Sequence, residues 1–243
     1  MRILVLSDIH GNLEALEAVL ADAGTWDALW FLGDLVGYGP DPVECIDRIQ
    51  RLAAIALAGN HDLGVIGRVP LAVFSSAARE VLEWTRGQLP RRHVEYLMSL
   101  SVQTEHDGIT LVHGSLRAPI WEYVLDPCTA WENIERMSNR IALFGHTHVG
   151  IAYHVPDRGA LRMHILRPVY DEPIDLRTGW WLLNPGSVGQ PRDGDPRAAY
   201  AILDLKEMTW MFRRVPYPIA ETQAKMHRLG FPSFLIERLA YGE

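Results

Sequence analysis

The first ten residues read Met1-Arg2-Ile3-Leu4-Val5-Leu6-Ser7-Asp8-Ile9-His10, an apolar run that ends in polar side chains. Four further apolar runs along the chain end in the same way. The polar clusters after the five runs are Ser7-Asp8-Ile9-His10, Gly33-Asp34, Gly59-Asn60-His61-Asp62, His113-Gly114 and Gly145-His146-Thr147-His148. An open α/β sheet gathers its functional residues just beyond the carboxyl ends of its strands. The five clusters are therefore predicted to face one crevice.

The first third of the chain alternates between predicted strands and helices. Apolar runs predict strands at 3–6, 29–32 and 53–58, and amphipathic patterns predict helices at 12–21 and 43–51. The distance from Asp8 to Asp34 and the distance from Asp34 to Asn60 are both 26 residues. This length is typical of one strand–helix crossover, so the pattern indicates a parallel α/β arrangement.

The rest of the chain predicts a mixed architecture. Two helices are expected at 75–89 and 91–100, separated by Pro90, as a helical insertion at about 71–100 that covers one side of the crevice. An irregular segment, 117–127, is followed by antiparallel or mixed strands and a helical tail that breaks near Gly230. Further strands are predicted at 109–112, 141–144, 149–155, 161–166, 180–183, 200–205 and 209–215. We therefore predict one α/β domain over residues 1–243, with two mixed sheets flanked by helices in a four-layer αββα sandwich.

Composition limits the function classes. The formal net charge of −7 argues against a broad nucleic-acid surface, which is usually basic. No apolar run reaches the roughly 18 residues that suggest a membrane span, and the start of the chain reads as a strand and not as a signal peptide. Cys45 and Cys128 lack the spacing of a metal or redox motif, which favours reduced thiols and a cytoplasmic protein. A homo-oligomer is compatible with this composition.

The polar clusters contain the side chains that a pair of divalent metal ions needs. Asp8 and His10 are two residues apart, as are His146 and His148, so each pair would share a face if its backbone were extended. The remaining oxygen and nitrogen donors are Asp34, Asn60 and His113. Mixed imidazole and oxygen ligands suit Mn²⁺, Fe²⁺, Zn²⁺, Ni²⁺ or Co²⁺ better than Ca²⁺. Each cluster alone is more typical of a turn or a cap, and their occurrence in order at predicted strand ends favours metal binding.

The ordered motifs Asp8-x-His10, Gly33-Asp34, Gly59-Asn60-His61-Asp62, His113 and Gly145-His146-x-His148 resemble those of the calcineurin-like metallophosphoesterase superfamily. The stretch Asn184-Pro185-Gly186-Ser187-Val188 resembles the small prokaryotic phosphodiesterase branch. The resemblance implies two metal ions, with Mn²⁺ expected. One ion would be held by Asp8, His10, Asp34 and His148, and the other by Asp34, Asn60, His113 and His146. It also implies that a metal-bridging hydroxide attacks phosphorus, and that His61 is the general acid; a structural role for His61 is the alternative.

One departure from the superfamily pattern bears on the substrate. Members that act as protein phosphatases carry Gly-Asp-x-x-Asp-Arg-Gly, where this chain has Gly33-Asp34-Leu35-Val36-Gly37-Tyr38-Gly39. The arginine that would grip a phosphomonoester dianion is absent, and a diester, with one fewer charge, needs such a grip less. The sequence therefore favours a small phosphodiester as substrate.

Alternatives remain for the reaction and for the substrate contacts. The same site could hydrolyse a dinucleoside polyphosphate or act as a general phosphatase, and an inactive scaffold protein is a third possibility. Tyr38 could line the cleft or simply pack in the core. Arg192 and Arg197 could contact the substrate, or could pair with the neighbouring carboxylates Asp193 and Asp195.

Overall fold

The computed structural model describes all residues from Met1 to Glu243 and contains twelve strands and eight α-helices. The strands are β1 (Arg2–Leu6), β2 (Ala28–Phe31), β3 (Ala53–Ala56), β4 (Gln103–His106), β5 (Ile109–Val112), β6 (Ile141–Leu143), β7 (Ile151–Val155), β8 (His164–Leu166), β9 (Pro173–Asp175), β10 (Trp180–Asn184), β11 (Ala198–Asp204) and β12 (Thr209–Val215). The helices are α1 (Leu13–Asp22), α2 (Pro42–Leu52), α3 (Asn60–Val65), α4 (Ser76–Gln88), α5 (Arg91–Ser99), α6 (Pro127–Ile134), α7 (Ile219–Arg228) and α8 (Ser233–Glu237).

The strands form two mixed six-stranded sheets, which confirms the predicted fold class. The first sheet has the order β3-β2-β1-β11-β12-β9, and the second has the order β4-β5-β6-β10-β7-β8. Strands β1, β2 and β3 are parallel to one another, as are β5, β6 and β10. In each sheet, three carboxyl ends therefore lie at the same edge.

Successive side chains of β1 point into two different apolar cores, one on each face of the first sheet. Ile3 and Val5 point into an apolar core that they share with Leu111 of β5 and Leu183 of β10, between the two sheets. Leu4 and Leu6 point the other way, into a core formed with Leu16 and Val19 of α1 and Ile46 and Ile49 of α2. The outer face of the second sheet packs against Ala130 and Ile134 of α6. These contacts produce the predicted sequence of helix, sheet, sheet and helix.

Several predicted element boundaries are confirmed and a few are wrong. The two helices on either side of Pro90 and the break between α7 and α8 match the sequence prediction. The strand predicted at 161–166 begins only at His164, and Leu161 is 97% exposed. The short elements α3, β4, α6 and β9 were not predicted. Strand β4 reads Gln-Thr-Glu-His at a sheet edge, where exposed positions carry no apolar alternation.

None of the helices is both long enough and apolar enough to cross a bilayer.

Candidate metal centre

All five polar clusters follow the carboxyl ends of parallel strands. The predicted ligands come after β1 (Asp8 and His10), β2 (Asp34), β3 (Asn60), β5 (His113) and β6 (His146 and His148). Backbone hydrogen bonds join neighbouring clusters. The amide of Asp8 donates to Gly33 (3.0 Å), the amide of His10 donates to Asp34 (3.0 Å), and the amide of Gly145 donates to His113 (2.8 Å). The two sheets therefore bring the predicted ligands together at their shared edge.

The backbone of the clusters is left-handed and not extended. The φ angles are 54° at Asp8, 49° at His10, 58° at Asp34, 65° at His146 and 60° at His148. The expectation of an extended backbone at both pairs is therefore wrong. His146 and His148 instead point into different groups of ligands. Left-handed residues other than glycine are uncommon and cluster at functional sites, because only a well-packed surrounding holds them there.

The predicted ligands fall into two groups that meet at Asp34. Asp8, His10 and His148 form one group and Asp34, His113 and His146 form the other, and a third group, His10, Asp34 and His61, overlaps both; in each group the ligand atoms lie within 4.8 Å of one another. Asp34 Oδ2 lies 3.6 Å from His10 Nε2 and 3.4 Å from His113 Nε2. One carboxylate oxygen therefore faces both groups, and the other, Oδ1, accepts a hydrogen bond from the His61 amide (2.9 Å).

Four of the potential ligand atoms that face the centre have no hydrogen-bond partner. The buried, unpartnered atoms are Asp8 Oδ1, Asn60 Oδ1, His113 Nε2 and His146 Nε2. Buried polar atoms without partners are rare in folded proteins, and a bound ion is one established explanation. The four orphaned atoms are oxygen and nitrogen donors of the kind that first-row divalent cations accept.

The ring orientations of three histidines also fit metal binding. The Nδ1 atoms of His10, His113 and His148 lie 3.1, 2.9 and 2.6 Å from the carbonyl oxygens of Val36, Leu32 and Gln190. These acceptors assign a proton to Nδ1 and direct Nε2 towards the centre, as in most metal-binding histidines. His10 Nε2 and His148 Nε2 are only 3.1 Å apart, and burial lowers the pKa of both rings. Two neutral rings then face each other with lone pairs, an arrangement that a cation stabilises.

The buried carboxylates and imidazoles strongly shift one another's pKa values. Burial, together with the neighbouring charge of Asp34, raises the pKa of Asp8 to about 7, although the charge of His113 opposes this shift. Burial also disfavours ionised Asp34, but the charge of His113 outweighs it and holds the pKa of Asp34 well below its ordinary value. His113 is desolvated as well, yet the charge of Asp34 raises its pKa to about 9. In the centre, the negative charge of Asp34 is therefore balanced by the positive charge of His113.

Asp62 and Ser187 support the ligand-bearing loops, a role that the sequence analysis had not assigned to Asp62. The Asp62 carboxylate accepts hydrogen bonds from the amides of Leu35 (2.9 Å), Val36 (3.1 Å) and Gly59 (2.9 Å). It thereby ties the loop after β2 to the start of α3. Ser187 Oγ donates to the Asp8 carbonyl at 2.8 Å. An acidic residue three positions after Gly59 was the available signal, because this spacing is typical of a capping box.

Tyr38 and Arg192 both lie beside the centre. The Tyr38 ring is 4.8 Å from the His10 ring and 4.5 Å from the His61 ring, between centroids. The Arg192 guanidinium lies 5.7 Å from the Tyr38 ring centroid, and Nη2 donates to Gln190 (2.7 Å). Arg192 pairs with no carboxylate, and its buried Nε has no partner.

The other basic side chain considered for the substrate, Arg197, is engaged elsewhere. Arg197 forms an ion pair with Asp195 at 2.6 Å, and Asp193 pairs with Arg214. Arg192 is therefore the arginine of this loop that stays free to meet an anion.

Gly59 provides a test of how tightly the centre is built. A Cβ atom at Gly59 would lie 2.0 Å from Asp34 Oδ1 and 2.6 Å from the Asp34 amide nitrogen. We expect Gly59→Ala to displace Asp34 and to lower the free energy of unfolding by about 1–3 kcal/mol, as overpacking does. Chemical denaturation measures this change. Gly87→Ala is the matched control, because helix α4 leaves open space there and alanine stabilises a helix by about 0.5–1 kcal/mol. Equal stability of Gly59→Ala and the wild type would contradict the prediction.

Comparisons with known proteins agree with this architecture. Residues 1–208 match the calcineurin-like phosphoesterase superfamily domain. The crystal structure of a metallophosphoesterase from Sphaerobacter thermophilus is 44% identical, covers 100% of both chains and has a TM-score of 0.91. An uncharacterized protein of Methanocaldococcus jannaschii is 35% identical over 99% of this chain and 98% of that protein. The phosphodiesterase YfcE of Escherichia coli is 26% identical over 84% of this chain and 88% of that protein. The chain therefore belongs to the calcineurin-like phosphoesterase superfamily.

Proposed function

We propose that this phosphoesterase hydrolyses small phosphodiesters at a centre of two divalent metal ions. The observation that carries the proposal is the position of Asp34 Oδ2, within 3.6 Å of a histidine nitrogen from each of the two ligand groups. In the proposal, Asp8, His10 and His148 hold one ion, and Asn60, His113 and His146 hold the other. Asp34 contacts both. When bound, such a pair supplies a hydroxide nucleophile at neutral pH and offsets negative charge on the phosphoryl oxygens.

The chain's own residues bind and orient the ester in this proposal. The Arg192 guanidinium, which lacks a carboxylate partner, offers hydrogen-bond donors to a non-bridging phosphoryl oxygen. His61 is buried beside Asp34, and its imidazole donates a proton to the oxygen of the leaving group. The Tyr38 ring lies close to both groups, 4.5 Å from the His61 ring and 5.7 Å from the Arg192 guanidinium.

Packing around Gly37 supports a diester over a monoester. The protein-phosphatase motif has Asp and Arg where this chain has Gly37 and Tyr38. A Cβ atom at Gly37 would lie 2.4 Å from His61 Nδ1, so the structure leaves no room for a carboxylate beside this ring. A single unpaired arginine, Arg192, then faces the phosphate. The similarity to a phosphodiesterase, YfcE, supports the same substrate class.

A comparison of three substrates tests the proposal. The purified protein is stripped with a chelator and reloaded with Mn²⁺, and its metal content is measured by elemental analysis. Turnover of bis-p-nitrophenyl phosphate, p-nitrophenyl phosphate and diadenosine tetraphosphate is then followed side by side. We expect a content near two ions per chain, loss of activity in the stripped protein, and the highest kcat/KM for the diester.

Three results would contradict the proposal. Faster hydrolysis of the monoester would overturn the preference for diesters, and faster hydrolysis of diadenosine tetraphosphate would assign the site to phosphoanhydrides. Full activity at a content of one ion per chain would overturn the dinuclear centre.

A further inference from the structure

An aromatic surface borders the candidate metal centre and has no role in the chemistry described above. It consists of Phe74, Trp121 and Tyr123, and we call it the aromatic face. Trp121 is 41% exposed and Tyr123 is 47% exposed. Large aromatic side chains at this level of exposure, next to a polar centre, are typical of binding surfaces.

The aromatic face is continuous with the predicted catalytic and metal-binding residues. The Tyr123 ring stacks on the His146 ring, with centroids 4.1 Å apart and planes 18° apart. Phe74 packs edge-on against His61 at 5.1 Å, and Trp121 lies 5.7 Å from Phe74. The face therefore reaches from one ligand group to the predicted general acid. It borders the position that a phosphate would take in the centre.

The loop that carries Trp121 and Tyr123 is held rigidly by the residue between them. Residues 114–126 form neither helix nor strand. Within this loop the half-buried Glu122 accepts hydrogen bonds from Ser115 Oγ (2.6 Å), Arg117 Nε (3.0 Å) and Asn133 Nδ2 (3.2 Å). Because Glu122 is anchored to the protein, the backbone of its two partly exposed neighbours, Trp121 and Tyr123, is held in place. A binding surface that is ordered in advance avoids an entropy cost when the ligand arrives.

We infer that the aromatic face binds a flat, ring-containing organic group of the phosphodiester, of the nucleobase type, by stacking. The inference rests on the proposed function and adds the substrate class. Stacking on exposed tyrosine and tryptophan is favourable for every base, because each base has a π-face, and it requires no hydrogen-bond readout. The Arg192 guanidinium, which has no carboxylate partner and lies 5.7 Å from the Tyr38 ring centroid, remains available for the phosphate.

Two diesters with the same leaving group test the inference. They are p-nitrophenyl thymidine 5′-phosphate, which retains a nucleoside, and methyl p-nitrophenyl phosphate, which retains only a methyl group. We expect the Mn²⁺-loaded wild type to prefer the nucleoside ester. Trp121→Ala should lower the ratio of the two kcat/KM values by about tenfold, mainly through a higher KM for the nucleoside ester. Trp121→Phe, which keeps a flat ring, should retain most of the preference, and Trp121→Leu should lose it.

Controls separate stacking from general damage and from failure of the proposed function. Leu161→Ala removes an exposed apolar side chain on the loop between β7 and β8 and should leave the ratio unchanged. Thymidine 5′-phosphate should quench tryptophan fluorescence of the wild type more than that of Trp121→Phe, a readout independent of turnover. If the wild type hydrolyses neither diester, the proposed function fails. If it hydrolyses both with no preference, or if Trp121→Ala slows both equally, the function stands and this inference is overturned.

Discussion

Asp34→Asn is expected to lower kcat for a phosphodiester by about 10³-fold, because a lost metal-ion contribution of about 4 kcal/mol has that effect on rate. Asp34 Oδ2 is the oxygen that faces both ligand groups, so the substitution removes negative charge from both proposed ions at once. Asparagine keeps the size of the side chain and tolerates the left-handed backbone at this position. The loss should therefore reflect charge and metal binding more than folding.

Metal content and a control variant show whether Asp34→Asn acts through metal binding or through folding. We expect fewer bound ions per chain by elemental analysis, with a melting temperature close to that of the metal-free wild type. Asp107→Asn is the control, since Asp107 is also left-handed, with φ of 48°, but is exposed on the turn between β4 and β5. This control should retain full activity and metal content. An Asp34→Asn protein with normal turnover would refute the shared role of this carboxylate.

His61→Ala is expected to reduce turnover by about 10²–10⁴-fold, the contribution of a general acid, while the metal content is retained. His61 is buried next to Asp34, and its Nδ1 has no hydrogen-bond partner. Burial lowers its pKa to about 4 in the absence of metal. Proton donation to the leaving oxygen therefore requires that the pKa of this ring rises when substrate binds.

Two leaving groups distinguish acid catalysis from simple positioning by His61. A p-nitrophenolate departs readily without a proton, whereas the alkoxide of a dialkyl phosphate does not. If His61 is the acid, His61→Ala should slow the dialkyl ester far more than the p-nitrophenyl ester. Equal losses on both esters, with metal still bound, would show that His61 only orients the substrate. His227→Ala, at an exposed histidine near the end of α7, is the control and should behave as the wild type.

The central strands and the ligand set could be predicted because both are encoded locally. An apolar run followed by Asp, Asn or His marks the end of a buried strand, and β1, β2, β5 and β6 all end within one residue of the predicted position. The spacing of 26 residues between Asp8, Asp34 and Asn60 reflects one strand–helix crossover. Edge strands such as β4 and β9 were missed because exposed positions tolerate polar residues, so neither carries an apolar alternation.

The backbone conformation of the site residues could not be predicted from the sequence. The left-handed backbone at Asp8, His10 and Asp34 depends on hydrogen bonds between loops that are far apart in the chain. Periodicity describes regular strands and helices, and it carries no signal for such turns. The role of Asp62, which joins the loop after β2 to the start of α3, depends on the same long-range contacts.

The amino-acid sequence alone was sufficient to predict the mixed α/β sandwich and the polar side chains that gather beyond its strand ends, because burial and side-chain chemistry are properties of short segments. Folding in three dimensions assigned those residues to two groups around Asp34, left Arg192 without a carboxylate partner, and placed Trp121 and Tyr123 beside the centre. These features arise from contacts between the two sheets and between loops that are distant in the chain. A local pattern cannot encode them, since each loop takes its position only when the other sheet packs against it.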